Sequence, residues 1–271
     1  MRQLIWSCKK LDAGYNSVEG LLKKVDLEIF QGERVAVFGG ECSGVPLLLK
    51  VFAGLRPFRG GEFSVFGSSL KLIKFYEDWD HLLSRDKRVK MGVALEQEGL
   101  LANVSLKEGL ETVLRFGFAE EVESQSPSKM VEDVLKKFDL IEFQHLRPHQ
   151  LSSSQRRFAS IARATLLNPQ TYLFEGVSKN VEDRDRELLF SHLEKVFTQK
   201  EKTLVLGTED WSLAMRFCHR VVVFELGSVV FDGTWAELKK SNIEYWKKIS
   251  QTYSKKQVWD EQVHELIRSA S

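Results

Sequence analysis

The stretch VAVFGGECSGVPLLLKVFAGL, residues 35–55, runs from a short apolar segment through a turn bracketed by glycines into a second apolar segment of helical character. A buried strand, a tight turn and a helix in that order aim a row of backbone N–H groups at one point, and the helix N-terminus adds partial positive charge there. Phosphate-binding loops are built this way, and Gly39 and Gly44 keep the Gly-x-x-x-x-Gly spacing that such loops use. After the last glycine a lysine should reach the phosphates and a hydroxyl should hold Mg²⁺. Here Val45 and Pro46 follow, and then Leu47. Val45 has no charge, and Pro46 has neither a hydroxyl nor an N–H, although proline is accepted in a first helical turn. Glu41 places a carboxylate where phosphates would be repelled. The candidate cradle is Gly39, Ser43, Gly44, Val45, Pro46 and Leu47, and taken alone it reads equally well as a structural turn.

Outward from that loop, residues 2–7, 25–30 and 33–38 read as strands, with Gly32 turning between the last two, and helix 45–53 follows. EFSVFG, residues 62–67, alternates as a half-buried strand does. From about 71 to 150 charged, helix-favouring segments take over: FYEDWDHLLSRDKRVK, LKEGLETVLRFG and MVEDVLKKFDLIEF. After Gln150 helices 154–167, 182–198 and 211–216 alternate with strands 171–175, 202–207, 220–225 and 228–232. Alternation of that kind predicts an α/β fold with a largely parallel sheet covered by helices. Residues 235–271 read as a helical tail carrying Trp235, Trp246, Trp259, Tyr245 and Tyr253, expected to pack the tail or a dimer contact.

The totals narrow the classes. The chain has 271 residues, enough for a large α/β domain with a small satellite. Its 39 Lys+Arg against 38 Asp+Glu give no electrostatic reason to expect nucleic acid as a partner. Cys8, Cys42 and Cys218 have neither metal spacing nor an even disulfide framework, which predicts a reducing, cytoplasmic setting and no metal site, and His145 and His149 lack further ligands nearby. No apolar run reaches transmembrane length, so membrane attachment is expected through another chain.

Residues 151–183, LSSSQRRFASIARATLLNPQTYLFEGVSKNVED, give the loop its context. They resemble the signature-to-D-loop region of ATP-binding-cassette (ABC) ATPases, worded LSGGQ-(R/K)-R-x-x-x-A-R-A-L, an apolar strand, then Asp-Glu-Pro-Thr-Ser-Gly-Leu-Asp. LVLGTEDWSLAMRFCHRVVVFELGSVVFDGTWAEL, residues 204–238, is similar to the family's switch region and following hairpin. MGVALEQEGLLANVSLKEGL, residues 91–110, resembles its Q-loop, and GLLANVSLKEG is similar to the ATPase subunits of MCE-type (Mla-like) lipid transporters. The resemblance covers about residues 2–240. It implies a P-loop NTPase-like fold, a mixed central sheet flanked by helices, with an ABC ATPase-like domain over 1–240, a helical subdomain at about 71–153 and a C-terminal helical extension over 241–271.

It also implies which functions are lost. Glu175 stands at the Walker B aspartate, Gly176 at the catalytic glutamate, Glu209 at the switch histidine and Glu182 at the D-loop aspartate; Glu96 or Gln97 is the Q-loop glutamine. A glycine cannot polarise water, and phosphoryl transfer depends almost wholly on positioning and charge. Lys50 reads as a surface lysine, and Tyr15 reads either as the family's adenine-stacking aromatic or as a packed turn residue. The resemblance further implies that each nucleotide lies between one subunit's loop and the other's signature, so Ser152, Ser153, Ser154 and Gln155 would serve a partner's nucleotide. It leads us to expect a pseudo-ATPase subunit that holds ATP weakly, without Mg²⁺ at its own loop, beside an intact ATPase subunit and a permease that it meets through residues 90–115. Its setting would be the cytoplasmic face of the cell membrane. Two alternatives remain open at this point: an active ABC ATPase with unusual residues, and a soluble interaction module without nucleotide or transporter.

Overall fold

The computed structural model describes residues 2–15, 18–40, 42–70, 90–96, 99–117, 126–199, 201–241 and 243. Its strands are β1 (Leu4–Tyr15), β2 (Val18–Phe30), β3 (Arg34–Gly39), β4 (Gly60–Val65), β5 (Ser68–Leu70), β6 (Met91–Ala94), β7 (Thr171–Glu175), β8 (Thr203–Gly207), β9 (Arg220–Glu225) and β10 (Ser228–Thr234). Its α-helices are α1 (Val45–Phe52), α2 (Leu106–Gly117), α3 (Pro127–Lys137), α4 (Ser153–Thr165), α5 (Arg186–Phe197), α6 (Trp211–Phe217) and α7 (Trp235–Lys240). The chain divides into two compact units, residues 1–82 with 203–271, and residues 83–202.

In the first unit an antiparallel sheet has the order β2-β1-β4-β5, and a second set of strands runs β10-β9-β3-β8. β3 is parallel to both β8 and β9, while β10 returns antiparallel to β9. Val35, Ala36, Val37 and Phe38 are all fully buried, as expected of a strand with both faces covered. Phe52 of α1 stacks between Trp6 and Phe63, with ring centroids 5.5 and 5.6 Å away, and Trp6 Nε1 donates to the Phe52 carbonyl at 3.1 Å. Arg220 joins β9 to its surroundings: its guanidinium grips both oxygens of Asp232 at 2.7 Å and reaches Glu33 at 2.9 Å.

β1 and β2 are much longer than the apolar runs 2–7 and 25–30 suggest. The added stretches carry Lys9, Lys10, Asp12, Lys23 and Lys24, whose charges hide the alternation. The ladder also slips there, with Lys10 at φ 49° and Lys24 at φ 47°. Asp26 accepts from the Lys10 amide at 2.8 Å and Asp12 from the Lys24 amide at 3.1 Å, so side chains replace the missing ladder bonds. Trp235 packs on the core instead of a tail: it lies 6.0 Å from Phe38 and 5.7 Å from Trp211, and its Nε1 donates to the Cys218 carbonyl at 2.8 Å. Trp246, Trp259, Tyr245 and Tyr253 lie outside the described residues, as do residues 71–89.

The second unit is built on the parallel pair β6–β7, in register Met91↔Thr171 to Ala94↔Phe174. β6 is a strand that the helical reading of 71–150 does not contain; four residues are too few to show a period. Gly92 lets α4 approach it, because a Cβ there would strike the Ala164 carbonyl. The segment expected as helix 182–198 begins with a 3₁₀ turn, Asp183–Asp185, before α5. Among the described residues no helix is long and apolar enough to cross a membrane.

Candidate functional site

The loop lies in the first unit, between β3 and α1. Gly44, at φ 84°, is the N-cap of α1 and provides no side-chain cap; the first turn closes through the Leu48 amide and Gly44 carbonyl at 2.9 Å. Val45 is not a shortened lysine pointing at a ligand. Its side chain is buried and turns inward, with one methyl 3.4 Å from where a Cβ on Gly207 would stand and the other 2.9 Å from a Cβ on Gly39. Pro46 is exposed, and Leu47 is buried in the core. Ser43 is buried too, and a Cβ on Gly39 would collide with its side chain.

Two backbone donors of the loop are already engaged. The Ser43 amide donates to the Gly40 carbonyl at 3.1 Å, and the Val45 amide to Ser43 Oγ at 3.4 Å. The sequence suggested that the backbone half of the cradle survives, but in this arrangement two of its amides are directed inside the loop. The donor set at Gly39–Leu47 therefore does not fit a magnesium triphosphate: no cation, no hydroxyl at the head of the helix, and N–H groups bonded internally. Glu41 lies outside the described residues. Lys50 belongs to the last turn of α1, the end opposite the loop, where a cation complements the helix dipole.

Two further residues of this unit were singled out. Tyr15 ends β1; the Arg56 guanidinium lies 5.4 Å from its ring centroid, and Arg59 donates to its carbonyl at 3.0 Å. The Arg56 guanidinium thus lies against one face of the ring. Glu209 is exposed after β8, between buried Thr208 and Asp210. Asp210 caps α6 by accepting from the Leu213 amide at 3.2 Å.

In the second unit Glu175 ends β7 as a buried carboxylate, and its Oε2 accepts from the Glu96 amide at 3.4 Å. Gly176 has φ +57°, a left-handed backbone that L-residues with a side chain rarely adopt. A Cβ on Gly176 would also stand 3.1 Å from Lys179 Cδ, a tight contact from which that side chain would have to shift by a few tenths of an ångström. Lys179 Nζ pairs with Glu96 Oε1 at 3.3 Å. Arg157, wholly buried, donates to the carbonyls of Leu95 at 3.1 Å, Glu96 at 3.0 Å and Lys179 at 3.4 Å. Sequence reasoning gave neither Lys179 nor Arg157 a role. The signal was there for Lys179, a charged residue where the family wording has a small one. Gln97, the alternative Q-loop residue, lies outside the described residues.

The signature residues open α4. Ser152 is its N-cap: Ser152 Oγ accepts from the Gln155 amide at 3.2 Å, and Gln155 Oε1 accepts from the Ser152 amide at 2.8 Å, a reciprocal capping box. Ser152 Oγ is an acceptor in that pair and keeps its own O–H to donate. Ser153 is half-buried. Ser154 turns inward: it is buried, and its Oγ accepts from the Glu182 amide at 3.1 Å. Glu182 itself pairs with Arg184 at 2.8 Å.

The same unit has a narrow apolar crevice lined by Leu101, Leu106, Leu110, Val113, Pro148 and Arg163. Leu101 is exposed at its rim. Arg163 donates to the Val93 carbonyl at 3.0 Å, and burial lowers its pKa from the ordinary guanidinium value.

Comparison with known proteins bears on the fold and the family. Over 240 residues the chain is 28% identical to the lipoprotein-releasing system ATP-binding protein LolD of Francisella tularensis, covering 85% of this chain and 99% of that one. It is 29% identical over 209 residues to the ABC transporter ATP-binding protein MJ0796 of Methanocaldococcus jannaschii, covering 77% of this chain and 86% of that one. The dimeric structure of MJ0796, described as a bacterial ABC transporter cassette, superimposes with a TM-score of 0.74 at 24% identity, over 85% of this chain and 98% of that one. A second MJ0796 structure, a post-hydrolysis state bound to ADP and Pi, gives 0.71 over 86% and 98%. The ABC transporter family model matches residues 22–175, more than half the chain, and with the cassette fold and the ordered loop, signature and switch segments it establishes that this protein belongs to the ABC transporter family as an ATP-binding subunit.

Proposed function

We propose that this chain is a non-hydrolysing, pseudo-ATPase subunit of an ABC transporter that works beside an intact ATPase subunit and a membrane permease. The observation that carries the reading is Gly176: the position of the catalytic base has no side chain, a left-handed backbone and a neighbour's stem in the vacated space. Val45, buried where a phosphate-binding lysine should extend, supports it. ATP at residues 39–47 would be held weakly and without Mg²⁺. Two copies of this chain would give two defective sites, so the working assembly is a heterodimer.

The signature surface is the half that still functions. Ser152 has a hydroxyl proton to donate at the N-terminus of a 13-residue helix, a place that favours anions, and Ser154 leaves the surface clear by turning inward. Ser152 to Gln155 thus serve a nucleotide held by the partner ATPase. The apolar crevice beside Leu101 and Arg163 receives the permease, which holds the chain at the cytoplasmic face of the cell membrane. The cargo class we assign is lipid, on the resemblance of residues 99–109 to MCE-type ATPase subunits and on similarity to LolD, a component of a lipoprotein-releasing system. Nucleic acid is not a partner in this scheme.

The test is affinity purification from native membranes, followed by ATP turnover of the isolated chain and of the complex. An ATPase subunit and a permease should co-elute, and only the complex should turn over. Ser152→Asp retains an N-cap but sets a carboxylate against the phosphate, so turnover of the complex should fall by roughly a hundredfold, the scale seen when one charge-stabilising donor is lost. Turnover by the isolated chain would reject the reading.

A further inference from the structure

The apolar crevice of the second unit holds a charge that the described residues do not balance. Leu106 and Leu110 are buried in its wall, and Leu101 stands 45% exposed at its rim. Arg163 of α4 lines the same space. One of its terminal nitrogens donates to the Val93 carbonyl at 3.0 Å, and its Nε is buried with no hydrogen-bond partner among the described residues. Burial lowers its pKa, and no carboxylate among the described residues raises it. The acids of α2 are committed elsewhere: Glu108 accepts from the Ser105 amide at 3.0 Å and hydroxyl at 2.8 Å, and Glu111 pairs with Arg115 at 3.5 Å. Gly99 keeps the guanidinium open. Its backbone is left-handed at φ +63°, and a Cβ there would stand 3.1 Å from the same nitrogen that binds Val93.

We propose that the crevice is a receptor for an acidic side chain of the permease: a carboxylate flanked by apolar residues enters past Leu101 and pairs with Arg163. The proposal rests on the docking of the permease at this crevice and adds the chemistry that recognises it. Charge complementarity selects the acid. A basic segment would add a second unbalanced cation, and a wholly apolar one would seal the guanidinium further without pairing it. A guanidinium offers five N–H donors and stays charged, and it meets a carboxylate through two parallel bonds. Folding has already stripped much of the water from Arg163, so docking adds less desolvation cost on this side of the pair. A permease lacking the acid would leave a buried cation unpaired, so the crevice discriminates among partners as well as holding one.

The experiment purifies the full-length chain from native membranes and measures the permease recovered with it. Arg163→Lys keeps the cation and adds a primary amine, which a carbodiimide joins to a contacting carboxylate without a spacer. Mass spectrometry should find that variant linked at position 163 to an Asp or Glu of the permease, and the parent without such a link. Arg163→Met should lower permease recovery at least about tenfold, as removing one partner of a buried charge pair does. Thermal melts of each variant check folding. Leu101→Glu, at an exposed position, supplies a competing carboxylate and should lower recovery more than Leu101→Gln does, whatever the melt of Arg163→Met. A link confined to Glu98, which lies outside the described residues, would overturn the pairing, as would full recovery with a folded Arg163→Met or equal recovery with the two Leu101 variants. Absence of permease from the parent's eluate would instead reject the docking itself.

Discussion

Gly176 shows why a missing side chain differs from a conformation that excludes one. At φ +57° any L-residue carries a backbone cost of about 1–2 kcal/mol, and a longer side chain must also displace Lys179. Gly176→Ala should therefore lower the unfolding free energy by that amount, read from urea titration. Gly176→Glu should lower it at least as much, and ATP turnover should not appear. Residue types announce the loss of a base, a lysine and a histidine without any structure. They do not tell that Val45 and Ser154 face inward, because the direction of a side chain is set by distant neighbours such as Gly207 and Glu182, which no local pattern names.

At the scale of elements, β3, β7, β8 and β9 were legible because each is a short run buried on both faces and bounded by glycines or polar turns. β1 and β2 were legible only in part, at 2–7 and 25–30, since bulges at Lys10 and Lys24 reset the two-residue period in the rest. Helix α4, read from the sequence as 154–167, is closed at its start by the Ser152–Gln155 capping box, and Ser152→Ala should cost about 1 kcal/mol of stability whereas Ser152→Asp should not. Arg157, from the same helix, is a stronger anchor. Arg157→Met strands three carbonyl acceptors that it now satisfies, at 1–3 kcal/mol for each that stays buried, so a loss of about 3 kcal/mol or more is expected in urea titration.

Helix α5 offers a pH test of its packing. His192 is fully buried between Phe138 and Phe158, with Asp139 3.8 Å from its Nε2 and Lys195 nearby. Burial first, and then the Lys195 charge, lower its pKa from 6.5 to about 4. The folded state thus keeps the imidazole neutral where the unfolded chain takes up a proton. Stability from this group is complete above the unfolded pKa and declines as pH falls from about 6.5 toward about 4, by up to about 3 kcal/mol. The difference between parent and His192→Leu in urea titrations over that range should show the decline, and a pH-independent difference would refute it.

For the whole molecule, the proposed reading of one defective loop and one serviceable signature makes an asymmetric subunit, and asymmetry sets what mixing experiments should find. Reconstituted with permease alone, the chain should give no turnover; with an intact ATPase subunit added, turnover should appear, and its nucleotide dependence should follow substitutions in that subunit's loop. A net charge of +1 supplies little long-range steering, so assembly should vary only weakly with salt. Fold and family were readable at this scale because motif order survives substitution, whereas the choice of partner is written in surfaces that meet another chain.

The bend at residue 176 also bears on how reversible the loss of chemistry is. Regaining an acid there demands a reshaped peptide, and the lysine stem 3.1 Å from the new Cβ must shift to make room. On the proposed reading, the backbone works as an evolutionary ratchet that keeps this chain in a supporting part of its assembly.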